Sequence, residues 1–322
     1  MQLYIDTPRT TITVRNNAFK ITNTVKKTIM SPKRISSIGI TTNATINASA
    51  IKLAAINEIP IYYYNYTGGL IAILQGPSYL KHSTLRLQQL HFMNSEKGLQ
   101  WALEQLQLKT RLQLQTLTRF ANENYLVRNE LNIVIENIKI HLSSLNSPIL
   151  SSPKVENTLM GIEGVIARYY YKGLNLMLPI TFQFNKRTRR PAKDYFNVIL
   201  NYVYGITYSY ITKALQAAGL DTFVGALHKT PFKETLVYDA IEPFRPIIDR
   251  LVLNLCVKNT LKPIHFKEVT NGYWLNKEGK KILIPAYADF IQSKIKIKNN
   301  VTTIQNHMYL QAKKLKLTIK TI

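Results

Sequence analysis

The sequence predicts an α+β chain, with a small N-terminal β-rich domain at residues 1–77 and a larger all-α domain at 78–322. Short runs rich in β-branched residues fill the first part, broken by turn-forming residues. From Ser78 onward the apolar residues recur at helical intervals of three and four. With 46% hydrophobic residues among 322, the chain can bury a substantial core.

Strands are expected at 2–6, 10–15, 18–22, 34–40, 59–65 and 70–76, with turns at Asn16-Asn17 and Gly68-Gly69. INASAIKLAAINEI reads as a short helix capped by Asn47. The region has no histidine and few acids, which suits dimerisation or partner contact better than catalysis. Tyr62, Tyr63, Tyr64 and Tyr66 fit a half-buried sheet face.

In the second part, helices are expected over SYLKHSTLRLQQLHFM, from about Leu99 to Phe120, from Asn124 to Leu142, and around LMGIEGVIARYYY. The last places Glu163 among Leu159, Ile162, Val165 and Ile166. A carboxylate on such a face calls for a partner, a proton or a metal. FQFNKRTRRPAKDYFN gathers Lys186, Arg187, Arg189, Arg190 and Lys193 in a loop before a helix starting near Asp194 and stopping at Gly219. LHKTPFKETLVYDAIEPFRPIID carries His228, Asp239, Glu242 and Arg245, with Pro243 expected to bend any continuing helix. HFKEVTNGYWLNKEGKKILIP reads as irregular, and two Lys-studded helices are expected to end the chain. His82, His91 and His141 read as structural or solvent-facing, His265 as a loop histidine that could in principle join a metal site though a lone loop histidine more often does not, and the single Cys256 as a small buried hydrophobe.

The charge points to the partner. Lys+Arg 42 against Asp+Glu 18 gives a formal net charge of +24, which suits a polyanion. No apolar run reaches the roughly 18 residues of a membrane span. MQLYIDTPRT does not resemble a secretory signal, and one cysteine builds no disulfide framework, so an intracellular, cytoplasmic protein is expected.

Glu163, His228, Asp239 and Glu242 together supply oxygen donors and one imidazole, a set that suits Mg²⁺ or Mn²⁺. Residues three apart share a helix face, so Asp239 and Glu242 are expected to point together. Such a centre on a basic chain favours phosphodiester chemistry.

Several ordered motifs resemble the CRISPR-associated adaptation integrases. LMGIEGVIARYYY is similar to the family's helix with the catalytic glutamate, here Glu163. FNKRTRRPAKDYFNVILNYVYG and ALHKTPFKETLVYDAIEPFRPIID resemble its basic and histidine-acidic blocks. RISSIGITTNATINASAIKLAAINEIPIYYYNYTGGLIA and STLRLQQ match the end of its β domain and the opening of its helical one.

The resemblance implies metal ligation by Glu163, His228 and Glu242, with Asp239 beside them adjusting geometry or handling protons. It places Tyr204 near the site, and Arg187, Arg189, Arg190, Lys193, Arg245 and the C-terminal lysines against DNA. It implies a prokaryotic, metal-dependent endonuclease and integrase, with Mg²⁺ or Mn²⁺ as cofactor. The enzyme would join prespacer 3′-OH ends to a repeat array, working as a homodimer within a heterohexamer with a small dimeric partner protein. Many relatives carry aspartate where this chain has Glu242. The alternatives are a metal-dependent nuclease on branched or single-stranded DNA, a transposon-encoded integrase, and a catalytically silent nucleic-acid scaffold.

Overall fold

The computed structural model describes all residues except 1, 36, 66–69, 77–82, 124–125, 146–153, 190 and 322. The Gly68-Gly69 turn, Tyr66, His82, Arg190 and the expected domain boundary at 77 therefore lie outside the described residues. The chain divides into two compact units, Met1–Ser83 and Thr84–Ile322.

The first unit holds β1 (Gln2–Ile5), β2 (Thr11–Arg15), β3 (Ala18–Thr22), β4 (Lys27–Met30), β5 (Ser37–Ile40), β6 (Thr45–Ile46), α1 (Ala48–Ile56), β7 (Ile61–Tyr64) and β8 (Leu70–Leu74). Asn16 and Asn17 both take positive φ in the β2–β3 hairpin, the conformation a tight two-residue turn requires. The Asn47 side chain accepts from the Ala50 amide and caps α1. Two four-stranded sheets form, ordered β1-β5-β7-β8 and β4-β3-β2-β6. β5 pairs in parallel with both β1 and β7, and all four of its residues, SIGI, are buried, as a strand between parallel partners requires. Ile12, Phe19, Ile38 and Ile61 are buried at the centre of this unit's core.

The second unit contains α2 (Ser83–Met93) from its second residue on, α3 (Glu96–Glu123), α4 (Arg128–Ser144), α5 (Val155–Leu176), α6 (Tyr195–Ala217), α7 (Thr235–Ile241) and α8 (Arg245–Val257). After α8 come β9 (Phe266–Val269), β10 (Gly272–Leu275), α9 (Lys277–Gln292), β11 (Lys294–Ile297), β12 (Asn300–Thr303) and α10 (Ile304–Lys320). α6 is buried around much of its circumference, including Phe196, Ile199, Val203, Tyr210 and Leu215. Asp194 caps it, accepting from the Asn197 amide, and Gly219 follows its end with φ 81°.

Two expectations fail here. The segment read as irregular forms a β9–β10 hairpin turning at Asn271, and Glu278 and Gly279 lie in the first turn of α9. The first of the two expected lysine-rich helices is instead the β11–β12 hairpin. The reason is visible in Lys294-Ile295-Lys296-Ile297-Lys298, whose strict alternation is a strand period. The three lysines are exposed while the isoleucines pack against the core. The helical unit is thus mostly, but not wholly, α.

Candidate metal and phosphodiester site

α3, α5 and the α7–α8 junction each bring one charged side chain to a common point. Lys109 lies midway along α3 on the buried stripe of Ala102, Leu106, Gln113 and Leu117. Its ammonium donates to Glu163 on α5 and to Glu242 Oε2, the latter at 2.5 Å. Glu242 Oε1 accepts from Arg245 Nε at 2.8 Å, so each of its oxygens holds a cation. Burial opposes the Glu242 charge, but Arg245 and Lys109 outweigh it and bring the carboxyl down to about 2. Burial likewise opposes the charge on Lys109, yet Glu242 and Glu163 raise its pKa.

The Pro243 expectation is met in a specific way. α7 stops at Ile241, Glu242–Phe244 forms a 3-10 turn, and α8 restarts at Arg245 with Pro246 in its first turn. Asp239 and Glu242 take different hydrogen-bond partners, although both act on the charge of His228. Asp239 Oδ2 accepts from the amides of Ala226 and Leu227, and Oδ1 from the amide and Nδ1 of His228. A side chain at Gly225 would place its Cβ 2.8 Å from Asp239 Oδ2 and 2.7 Å from the Thr235 backbone, so this close wrap needs glycine. The same loop is tied to α2 by Gln89, which bonds both Asp221 and Val224.

Asp239 therefore orients the imidazole. With Nδ1 at 2.7 Å from Asp239 Oδ1 and donating to it, Nε2 carries the free lone pair. Burial opposes protonation of His228, but Asp239 and then Glu242 raise its pKa. Among the described residues no group of three or more His, Cys, Asp or Glu side chains is gathered closely enough to hold an ion. The position bridging the two glutamates is taken by the Lys109 ammonium. Even so, the donor chemistry fits a hard divalent cation. Two carboxylates already share one positive charge, and a carboxylate-oriented imidazole presents Nε2.

Glu163 sits on an open face, its side chain 31% exposed. Gly161 and Gly164 flank it, and a Cβ at either would meet nothing within 4 Å. A glycine inside a helix costs about 1 kcal/mol against alanine, and packing demands neither of these.

The basic residues divide into two groups. Arg187 does not reach outward as expected: its guanidinium bonds Asn197, Asn201 and the Thr188 carbonyl, and lies over the rings of Tyr171 and Tyr204. Arg245, also expected at DNA, is spent on Glu242 and the Tyr208 hydroxyl and stacks 4.9 Å from the Tyr204 ring. Both organise the site from inside. Arg189 and Lys193 are exposed. Their loop is anchored, because Asn197 bonds the Lys186 carbonyl and Asn201 those of Thr188 and Arg189. The β9–β10 hairpin docks on its end, where the Tyr273 amide donates to the Ala192 carbonyl at 2.8 Å.

Tyr204 is buried, and its hydroxyl donates to Asp249 at 2.6 Å while Arg245 covers its face. Burial raises the Asp249 carboxyl to about 6. Because this folded value lies above the ordinary 3.8, its stabilising contribution is complete below 3.8 and lost as pH rises through about 6. Asp249→Asn keeps an acceptor for Tyr204 and removes the buried charge. Its stability relative to the parent is expected to improve across that window by up to about 3 kcal/mol, as measured by denaturation at pH 4 and pH 8. A difference independent of pH would refute this reading.

Sequence reasoning missed Lys109 and Asp249. Both were findable: each is a charge on an apolar stripe, Lys109 between Leu106 and Gln113, Asp249 between Ile248 and Val252. Tyr208 and Tyr238, which pack on one another beside His228, carried no such signal.

The family model "CRISPR associated protein Cas1" matches residues 3–289. A CRISPR-associated endonuclease Cas1 of Archaeoglobus fulgidus is 27% identical over 88% of this chain and 85% of its own. Among solved structures, a casposase bound to integration product superposes with TM-score 0.83 at 22% identity, covering 100% of this chain and 91% of that one. A Cas6-RT-Cas1–Cas2 complex gives TM-score 0.81 at 23% identity over 100% of this chain and 35% of that one. With the family model spanning both units and the whole candidate site, the chain belongs to the CRISPR-associated Cas1 family.

Proposed function

We propose that this chain is a metal-dependent DNA endonuclease and integrase of CRISPR adaptation, joining prespacer 3′-OH ends to a repeat by transesterification. The observation that carries it is the Glu163–Glu242 pair sharing one cation beside a carboxylate-oriented His228. Glu163, Glu242 and His228 Nε2 would hold Mg²⁺ or Mn²⁺. When bound, the ion supplies Lewis-acid polarisation of a phosphoryl oxygen. Asp239 and the 226–228 amides fix the imidazole, and Arg245 fixes Glu242. Exposed Arg189 and Lys193, with the Lys294, Lys296 and Lys298 row, would meet backbone phosphates.

The named relatives support this reading: one is called an endonuclease, one structure is a casposase on integration product, and another holds Cas1 with Cas2. The partners would be a second copy of this chain and a small dimeric protein, assembled as a heterohexamer. Among the described residues no helix is long and apolar enough to cross a membrane.

The test is strand transfer. A labelled duplex with 3′-OH ends is incubated with a repeat-bearing plasmid and this protein, with and without the partner, in Mn²⁺ or in chelator. Covalent joining only with metal is expected. Metal-dependent cutting without joining would favour the simple nuclease, joining without the partner the transposon-type integrase, and no chemistry at all the silent scaffold.

A further inference from the structure

Glu242 accepts a cation on each oxygen, and the two cations are held very differently. Arg245 is pinned on three sides, by Glu242, by the Tyr208 hydroxyl and by the Tyr204 ring. The bonds of the Lys109 ammonium go to Glu163 and Glu242, which are the two carboxylates a metal would use. An ammonium is a compact point charge on a flexible four-carbon stem, so it can withdraw where a stacked guanidinium cannot. Its side chain is 7% exposed and lies between elements of the closed core.

We propose that Lys109 is a resident counter-cation that holds Glu163 and Glu242 together in the metal-free chain and must be displaced when a divalent ion enters. This rests on the metal reading above and adds to it a built-in competitor for the site. Without Lys109 the two carboxylates repel, so the metal-free fold weakens while the site becomes freer for an ion. The two effects have opposite signs, which separates this role from a merely structural one. A lysine that only supported the fold would leave metal affinity unchanged or weaken it when removed.

The experiment is Mn²⁺ titration by calorimetry on the full chain, comparing the parent, Lys109→Met and, should methionine impair folding, Lys109→Gln. Glu163→Gln serves as the control for the metal site. The expected result is Mn²⁺ binding at least about tenfold tighter in the Lys109 variants, together with a lower metal-free melting temperature. Equal or weaker binding in variants that fold overturns the counter-cation role and leaves the metal site standing. Failure of the parent and the Lys109 variants alike to bind Mn²⁺ overturns both.

Discussion

Glu242→Ala is expected to destabilise the helical unit by about 3–5 kcal/mol, before any loss of chemistry is counted. The carboxylate is 7% exposed and receives Arg245 on one oxygen and Lys109 on the other. Alanine removes the acid and leaves both cations buried. Lys109 would keep Glu163, while Arg245 would keep the Tyr208 hydroxyl and the face of Tyr204. None of these replaces a charge at Arg245. Denaturant unfolding at pH 7 reads the loss, and a cost below about 1 kcal/mol would show that Glu242 is not the hub of the cluster.

The pH dependence supplies a second reading of the same residue. The folded carboxyl titrates at about 2 against an ordinary 4.5, so its stabilisation is present above 4.5 and lost as pH falls towards about 2. Glu242→Gln keeps the shape without the charge. Its stability should approach that of the parent as the medium is acidified through this range. A gap that stays constant would assign the cost to packing.

Which parts of this site could be read in advance follows from what kind of order each requires. Glu163, His228 and Glu242 stand out from their apolar neighbours as acids and a histidine, and the structure brings the two glutamates onto one ammonium. Asp239 was expected to adjust ligand geometry, and it does orient His228, but its partners on the 226–228 loop were not legible. Three-residue spacing predicts a shared helix face, and it does not tell that Asp239 takes His228 and the 226–228 amides while Glu242 takes Lys109 and Arg245. Arg187 and Arg245 show the general difficulty. A guanidinium in a basic, proline-rich segment looks the same whether it meets phosphate or, as here, Asn197 and Tyr204.

The fold divides along a similar line. Strong local signals, such as the Asn47 cap and the Asn16-Asn17 turn, anticipated their elements. The two-residue β6 could not be anticipated, since it exists only through parallel pairing with β2. The β11–β12 hairpin could have been. Its alternating lysines and isoleucines carry a period of two, the signal of a strand and not of a helix.

Glu163→Gln is expected to do the reverse of Glu242→Ala, abolishing chemistry while sparing the fold. Its side chain is 31% exposed, and its ion-pair partner is Lys109, which keeps Glu242 when Glu163 is neutral. A partly exposed pair of this kind contributes about 1 kcal/mol or less, so the melting transition should move little. As a proposed metal ligand, however, it supports several kcal/mol of charge stabilisation in the transition state. Removing it should slow strand transfer on the order of 10³-fold. The initial joining rate of a labelled 3′-OH duplex under saturating Mn²⁺ measures this, with duplex binding followed separately by anisotropy. The lysine row and the 189–193 loop are untouched, so binding should persist while joining fails. Full joining activity in a folded Glu163→Gln chain would remove α5 from the site.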